Sequence, residues 1–123
     1  MGDSAQPLRI ETYEIAGHPC LKPIGEVDIA SVGTLQEAMA GLLEAGHSRL
    51  VMDLQGLTYL DSTGLGSIAA ARRRAREAGG DMLLICANSR ILRLLSITGM
   101  DLVFRIVRNA EEAERVLGGE SPR

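Results

Sequence analysis

The hydrophobic pattern changes period several times along the chain. Leu8 to Ile15 (LRIETYEI) begins as a near-alternation of apolar and polar residues, which predicts a strand. AGHP supplies turn residues, and CLKPIG then predicts a second strand, either a hairpin partner or a neighbour of the first. Pro19 and Pro23 have no N–H to give to a ladder, so this second strand is expected to be short or to lie at a sheet edge. From Thr34 the period becomes helical. Leu35, Ala38, Met39, Leu42 and Leu43 fall on one stripe, Thr34 and Glu37 have capping-box spacing, and Gly46 is placed to stop the helix.

Two nearly continuous apolar runs, Arg49 to Leu54 (RLVMDL) and Met82 to Ala87 (MLLICA), predict strands covered on both faces. A helical pattern follows each. The first runs from about Ser62 to Ala78, closed by Gly79 and Gly80, and the second from about Ser89 to Thr98, closed by Gly99. A short strand around Val103 to Val107 leads to a last helix, which Asn109 with Glu112 can cap and Gly118 can end. The order β, β, α, β, α, β, α, β, α predicts one α/β domain with a largely parallel central sheet beneath helices. The expected organisation is a flexible N-terminus over residues 1–7, the domain over 8–118 and a loose tail over 119–123.

Composition narrows the core and the partners. A chain of 123 residues is the size of one domain. Apolar residues make up 46 %, yet Phe104, Tyr13 and Tyr59 are the only aromatics, so the core is expected to be aliphatic. Thirteen basic against sixteen acidic side chains give a formal charge of −3, which argues against direct nucleic-acid binding. MGDSAQP at the start is small and polar, and no apolar stretch approaches the roughly 20 residues that cross a bilayer. The expected location is the cytoplasm, with no membrane contact. Cys20 and Cys86 stand far apart in apolar contexts without CxxC spacing or a histidine cluster, which predicts buried thiols and no metal or other cofactor.

The chemistry concentrates at one helix start, LDSTGLG. The loop between a strand's carboxyl end and the next helix is where α/β folds usually assemble sites. Either Asp61 or Ser62 can cap the helix. Gly64 and Gly66 each cost about 0.5–1 kcal/mol relative to alanine in a helix, so close backbone approach is expected here, by a neighbouring strand or by another macromolecule. A nucleophilic Ser62 would need a base, and His18 and His47, in a turn and after a helix end, belong to no G-x-S-x-G arrangement; hydrolase chemistry is not expected. Nor is a glycine loop with a lysine present to cradle a nucleotide phosphate. As the substrate of a kinase, Ser62 needs no base of its own. A phosphate at a helix N-terminus is favoured by the helix dipole, yet it adds about −1.5 to −2 charges to any interface that covers it. In ARRRAREAGGD, Arg72 and Arg76 share a face and Arg73 can pair with Glu77, which predicts a solvated, helix-stabilising surface.

LDSTGLGSI resembles the D-S-[ST]-G-L signature of STAS domains, in particular the bacterial anti-sigma factor antagonists. GEVD (Gly25 to Asp28) resembles their G-E-[LIV]-D element, and LLSITGMDLVFRI their L-x-x-x-G-[LM]-x-x-x-F segment. The similarity covers about Leu8 to Leu117, with the three elements in family order and spacing. It implies a mixed central sheet with packed helices, and Ser62 as the target of a serine kinase that is itself the anti-sigma factor. In the implied cycle the unphosphorylated antagonist binds that kinase and frees the sigma factor. Phosphorylation ends the binding, and a serine phosphatase restores it.

The resemblance also implies Asp28 as an acidic residue near Ser62 in space, with Asp61, Thr63, Gly64 and Leu65 lining the docking surface. Read alone, Asp28 serves equally as a turn or cap residue ahead of Ser31 and Thr34. STAS domains also act as regulators in stress-signalling complexes, as cytoplasmic parts of anion transporters and as small subunits of lipid-transport ATPases. The alternative expectation is therefore a regulatory subunit that binds without being phosphorylated, although an intact GEVD with DST favours the sigma pathway.

Overall fold

Ala16 and Gly17, at positive φ of 53° and 83°, reverse the chain between β1 (Arg9–Ile15) and β2 (His18–Val27). A two-residue turn of this hand matches the twist of an antiparallel hairpin, and the two strands pair from Arg9↔Ile24 to Ile15↔His18. The computed structural model describes residues 7–118. The expected C-terminal tail and all but Pro7 of the expected N-terminal segment lie outside the described residues.

After the hairpin come α1 (Val32–Glu44), β3 (Arg49–Asp53), a 3-10 turn (Leu54–Gly56), β4 (Leu57–Leu60) and α2 (Ser62–Glu77). The chain continues through β5 (Asp81–Ile85), α3 (Ser89–Ile97), a second 3-10 turn (Met100–Leu102), β6 (Arg105–Val107) and α4 (Ala110–Leu117). The sheet has the order β1-β2-β3-β5-β6, with β4 also paired to β2. Every pairing except β1 with β2 is parallel, as the alternating pattern predicts.

Strand alternation divides the core in two. Leu50, Met52, Met82, Leu84 and Cys86 point to one face, where Leu35 and Met39 of α1, Leu65 and Ile68 of α2, and Ile91 and Leu95 of α3 cover them. Cys20, Val51, Leu83, Ile85 and Val107 point to the other face and meet Ala113 of α4. Both cysteines are buried free thiols.

Four details depart from the sequence reading. β2 is neither short nor at an edge: it spans ten residues between β1 on one side and β3 with β4 on the other. Its prolines are tolerated because Cys20↔Val51 and Leu21↔Met52 carry the pairing to β3, with Pro19 before them and Pro23 beside the 3-10 turn, where the neighbouring strand is interrupted. Second, β4 is an additional strand, too short at four residues to show a period. Third, α1 starts at Val32, so Thr34 is inside the helix and Ser31 occupies the cap position. Fourth, Arg72 and Arg76 both turn to Asp81, at 3.0 and 3.2 Å, and Arg72 lies 5.6 Å from the Phe104 ring centre. Arg73 and Glu77 form no ion pair among the described residues.

Asp53 is the buried charged residue of the described chain, 2 % exposed. Its carboxylate accepts the Gln55 N–H at 3.0 Å, which starts the 3-10 turn, and the Tyr13 hydroxyl, which ties β1 to the end of β3. Removing the hydroxyl leaves a buried carboxylate with one fewer donor, so Tyr13→Phe is expected to cost about 1–3 kcal/mol in urea unfolding.

Burial, opposed by its contact with Tyr13, pushes the Cys20 thiol from 9.0 up to about 11. Burial first, and then the bond to Asp53, raise the Tyr13 phenol above its ordinary 10.0. Both groups are neutral when protonated, and unfolding returns them to ordinary acidity, so with rising pH the unfolded chain loses its protons first. Stability is expected to be full below pH 9.0 and to decline toward about pH 11, read as a falling thermal midpoint in circular dichroism.

Candidate functional site

The sequence elements GEVD and LDSTG meet because β2 and β4 run side by side in the same direction. Gly25 pairs with Leu57, Glu26 with Tyr59 and Val27 with Leu60, so Thr58 is the extra residue of a bulge. Thr58 Oγ1 donates to the Gly25 carbonyl at 3.2 Å, and Gly25 adopts φ +121°, a conformation that side chains disfavour. The bulge sets the register of the strand ends. The Asp61 N–H then donates to the Val27 carbonyl at 3.3 Å, which places Asp28 and Asp61 at the carboxyl ends of adjacent strands.

One aspartate orders the turn before α1, and the other caps α2. Asp28 Oδ1 accepts the N–H groups of Ala30 and Ser31 at 2.9 and 3.1 Å and the Ser31 hydroxyl contact at 3.2 Å. The Asp28 carbonyl receives Val32 N–H at 2.8 Å as α1 begins, so the turn role of Asp28 is realised. It is realised at the strand end beside Asp61, so position and turn role coincide in one residue. Ser31 Oγ adds a bond to the Glu26 carbonyl at 2.8 Å and pins the turn to β2.

Asp61 is the cap of α2: its Oδ1 accepts Gly64 N–H at 3.0 Å. Capping is therefore not the task of Ser62. Ser62 is the first helical residue, and both Ser62 and Thr63 are exposed.

The two glycines have different causes. A Cβ on Gly64 would lie 2.6 Å from both Leu60 Cδ1 and Val27 Cγ1, so packing against the strands requires the glycine. A Cβ on Gly66 would meet nothing within 4 Å, and Gly66 is exposed. Gly64 is buried, and Leu65 is 4 % exposed within the core. They fix the first turn of α2 from beneath. A residue that the sequence reading missed stands beside them: Ile29, 79 % exposed at the tip of the Asp28 turn. It lies ahead of the helical stripe that begins at Leu35, and no local period marks it; only the turn shows it exposed to solvent.

His18 begins β2 and His47 precedes β3, so both lie at the end of the sheet opposite Ser62. Ten residues of β2 at about 3.3 Å each separate the two ends, far beyond hydrogen-bond reach. Among the described residues no cluster of His, Cys, Asp and Glu could hold a metal ion, and no helix is long and apolar enough to cross a membrane.

The family model for the STAS domain matches residues 9–113. The chain belongs to the STAS domain family. The anti-sigma-B factor antagonist of Bacillus subtilis is 33 % identical to it over 87 residues, 71 % of this chain and 79 % of that protein. Among solved structures, an anti-sigma factor antagonist from Mycobacterium paratuberculosis superposes with a TM-score of 0.77 at 22 % identity, over 92 % of this chain and 97 % of that one. The Bacillus cell fate determinant SpoIIAA, in its phosphorylated form, gives 0.66 at 15 % identity over 89 % and 98 %. These likenesses confirm the mixed sheet and packed helices of a STAS domain.

The two glycines of this STAS domain are expected to respond in opposite ways to alanine. Gly66→Ala should raise stability by about 0.5–1 kcal/mol, because it relieves a helix-interior glycine without a clash. Gly64→Ala should lower it by about 1–3 kcal/mol through overpacking on Val27 and Leu60. Urea titration of the pair against the parent measures both.

Proposed function

We propose that this protein is an anti-sigma factor antagonist that binds an anti-sigma factor serine kinase when unphosphorylated and is switched off by phosphorylation of Ser62. The observation that carries this reading is the division of labour at the start of α2. Asp61 takes the cap, and the adjacent Ser62 hydroxyl is left exposed on the first helical residue. A hydroxyl there can accept a phosphoryl group without dismantling the helix, whose dipole favours the added charge.

The surface around it suits a charge-controlled interface. Asp61 and Thr63 flank the acceptor position along the chain, Asp28 stands at the end of the adjacent strand, and Ile29 supplies an exposed apolar contact on a turn held by five hydrogen bonds through the Asp28 and Ser31 side chains. A new phosphate beside two carboxylates repels them and must lose its water if a partner covers it, so binding weakens while the fold persists. The relative from Bacillus subtilis is named an anti-sigma-B factor antagonist, and SpoIIAA is known in a phosphorylated form, which supports the same reading. A serine phosphatase would restore the binding form. The protein acts by binding, without catalysis of its own, and in the cytoplasm where its partner kinase meets the sigma factor.

Incubation with ATP and lysate of the native cell, followed by intact-mass analysis and phosphosite mapping, is expected to place a single phosphate on Ser62 and none on Ser62→Ala. In titration against the purified kinase, Ser62→Ala should bind like the parent and Ser62→Asp should bind at least about tenfold more weakly, equivalent to about 1.4 kcal/mol. Equal affinity of the two variants would refute the switch.

A further inference from the structure

A groove of about 330 Å³ opens between β4 and α3, on the side of β4 that no described strand covers. Its cause lies in the topology. β5 pairs with β3 as far as Asp53↔Ile85, and the 3-10 turn then carries the chain away into β4, which pairs with β2 alone. Leu60, Ile91 and Leu94 line the opening, and two large apolar side chains at it reach solvent: Tyr59, 49 % exposed, and Ile97, 72 % exposed. The charged residues that line it are Arg90 and Arg93, and no acidic side chain does so. In a chain of formal charge −3, an apolar groove edged only by arginines is a local reversal of sign.

We infer that this groove is a second contact site for the anti-sigma partner and takes a segment in which apolar residues are flanked by Asp or Glu. The inference rests on the antagonist reading and extends it from the Ser62 loop to the groove between β4 and α3, where the LDSTGLGSI and LLSITGMDLVFRI segments meet at Leu60, Leu94 and Ile97. Charge complementarity selects the occupant: a segment with acidic flanks satisfies Arg90 and Arg93 while its apolar side chains cover Tyr59 and Ile97. Continuity selects the partner. Tyr59 and Leu60 in the groove run directly into Asp61 and Ser62, so a protein seated over the acceptor serine reaches the groove without a gap. The division of tasks follows. Ser62 decides whether the partner can bind, and the groove supplies apolar affinity and selects for an acidic segment.

Isothermal titration of the purified anti-sigma kinase against the full chain tests this, using Tyr59→Ala/Ile97→Ala and Arg90→Glu/Arg93→Glu beside Ser62→Asp. All four groove positions are surface side chains, and thermal melts verify that each variant remains folded. The inference expects both double variants to bind about tenfold or more weakly than the parent, with the loss from charge reversal shrinking as salt is raised. Parent-like affinity in either double variant, with Ser62→Asp still impaired, overturns the groove and leaves the antagonist reading standing. Failure of the parent to bind any anti-sigma kinase overturns both. A dimer of the free chain in light scattering that Tyr59→Ala/Ile97→Ala dissociates assigns the groove to a second copy and also overturns the inference.

Discussion

The structure depends on one strand serving three neighbours. β2 pairs with β1 along its length, with β3 through Cys20 and Leu21, and with β4 through Gly25, Glu26 and Val27. Buried backbone groups must find partners, so the chain beside β2 has to leave it and return in register. The 3-10 turn at Leu54–Gly56 performs that step. Asp53 makes it possible by accepting the Gln55 N–H, and its second oxygen holds the hydroxyl of Tyr13 on β1. A buried carboxylate with two donors is thus the corner piece between the edge strand, β3 and β4.

What the corner produces is a strand end in the right place. Because β4 returns to β2, Asp28 and Asp61 become neighbours although 33 positions separate them in the chain. Both use a side-chain oxygen to receive backbone N–H groups, Asp28 in the turn before α1 and Asp61 in the first turn of α2, an economical way to end a strand and lead into a helix. With those donors satisfied by aspartates, the hydroxyl of Ser62 and the side chain of Ile29 are left for contacts outside the chain. Opening at the corner also creates the groove between β4 and α3, so the exposed Ser62 and the apolar groove share one structural origin.

The basic run on α2 shows how surface charges can be engaged by the fold. Arg72 and Arg76 converge on Asp81, and Arg72 also lies over Phe104. These arginines join the second half of α2 to the start of β5, at the end of the parallel strands opposite the Ser62 loop. Their charge is engaged in the fold, whereas Arg90 and Arg93 on α3 border an open groove. Sequence composition treats the two pairs alike; their surroundings separate them.

By itself the sequence determined the alternation of strands and helices, the parallel sheet, the aliphatic core and the special helix start, because these follow from local period, caps and glycines. GEVD and DST were legible as motifs, and Asn109 with Glu112 does cap α4, with Glu112 N–H at 2.8 Å from Asn109 Oδ1. Tertiary structure alone decided what depends on neighbours distant in sequence. It put Pro19 and Pro23 in an interior strand, made β4 a strand through its pairing to Gly25–Val27, and required Gly64 by contact with Val27 and Leu60. It also left Ile29 exposed on the turn after β2 and buried Leu65 beneath the start of α2. A hydrogen-bond ladder or a close contact between residues some 30 positions apart leaves no local period, so only the folded chain reveals it.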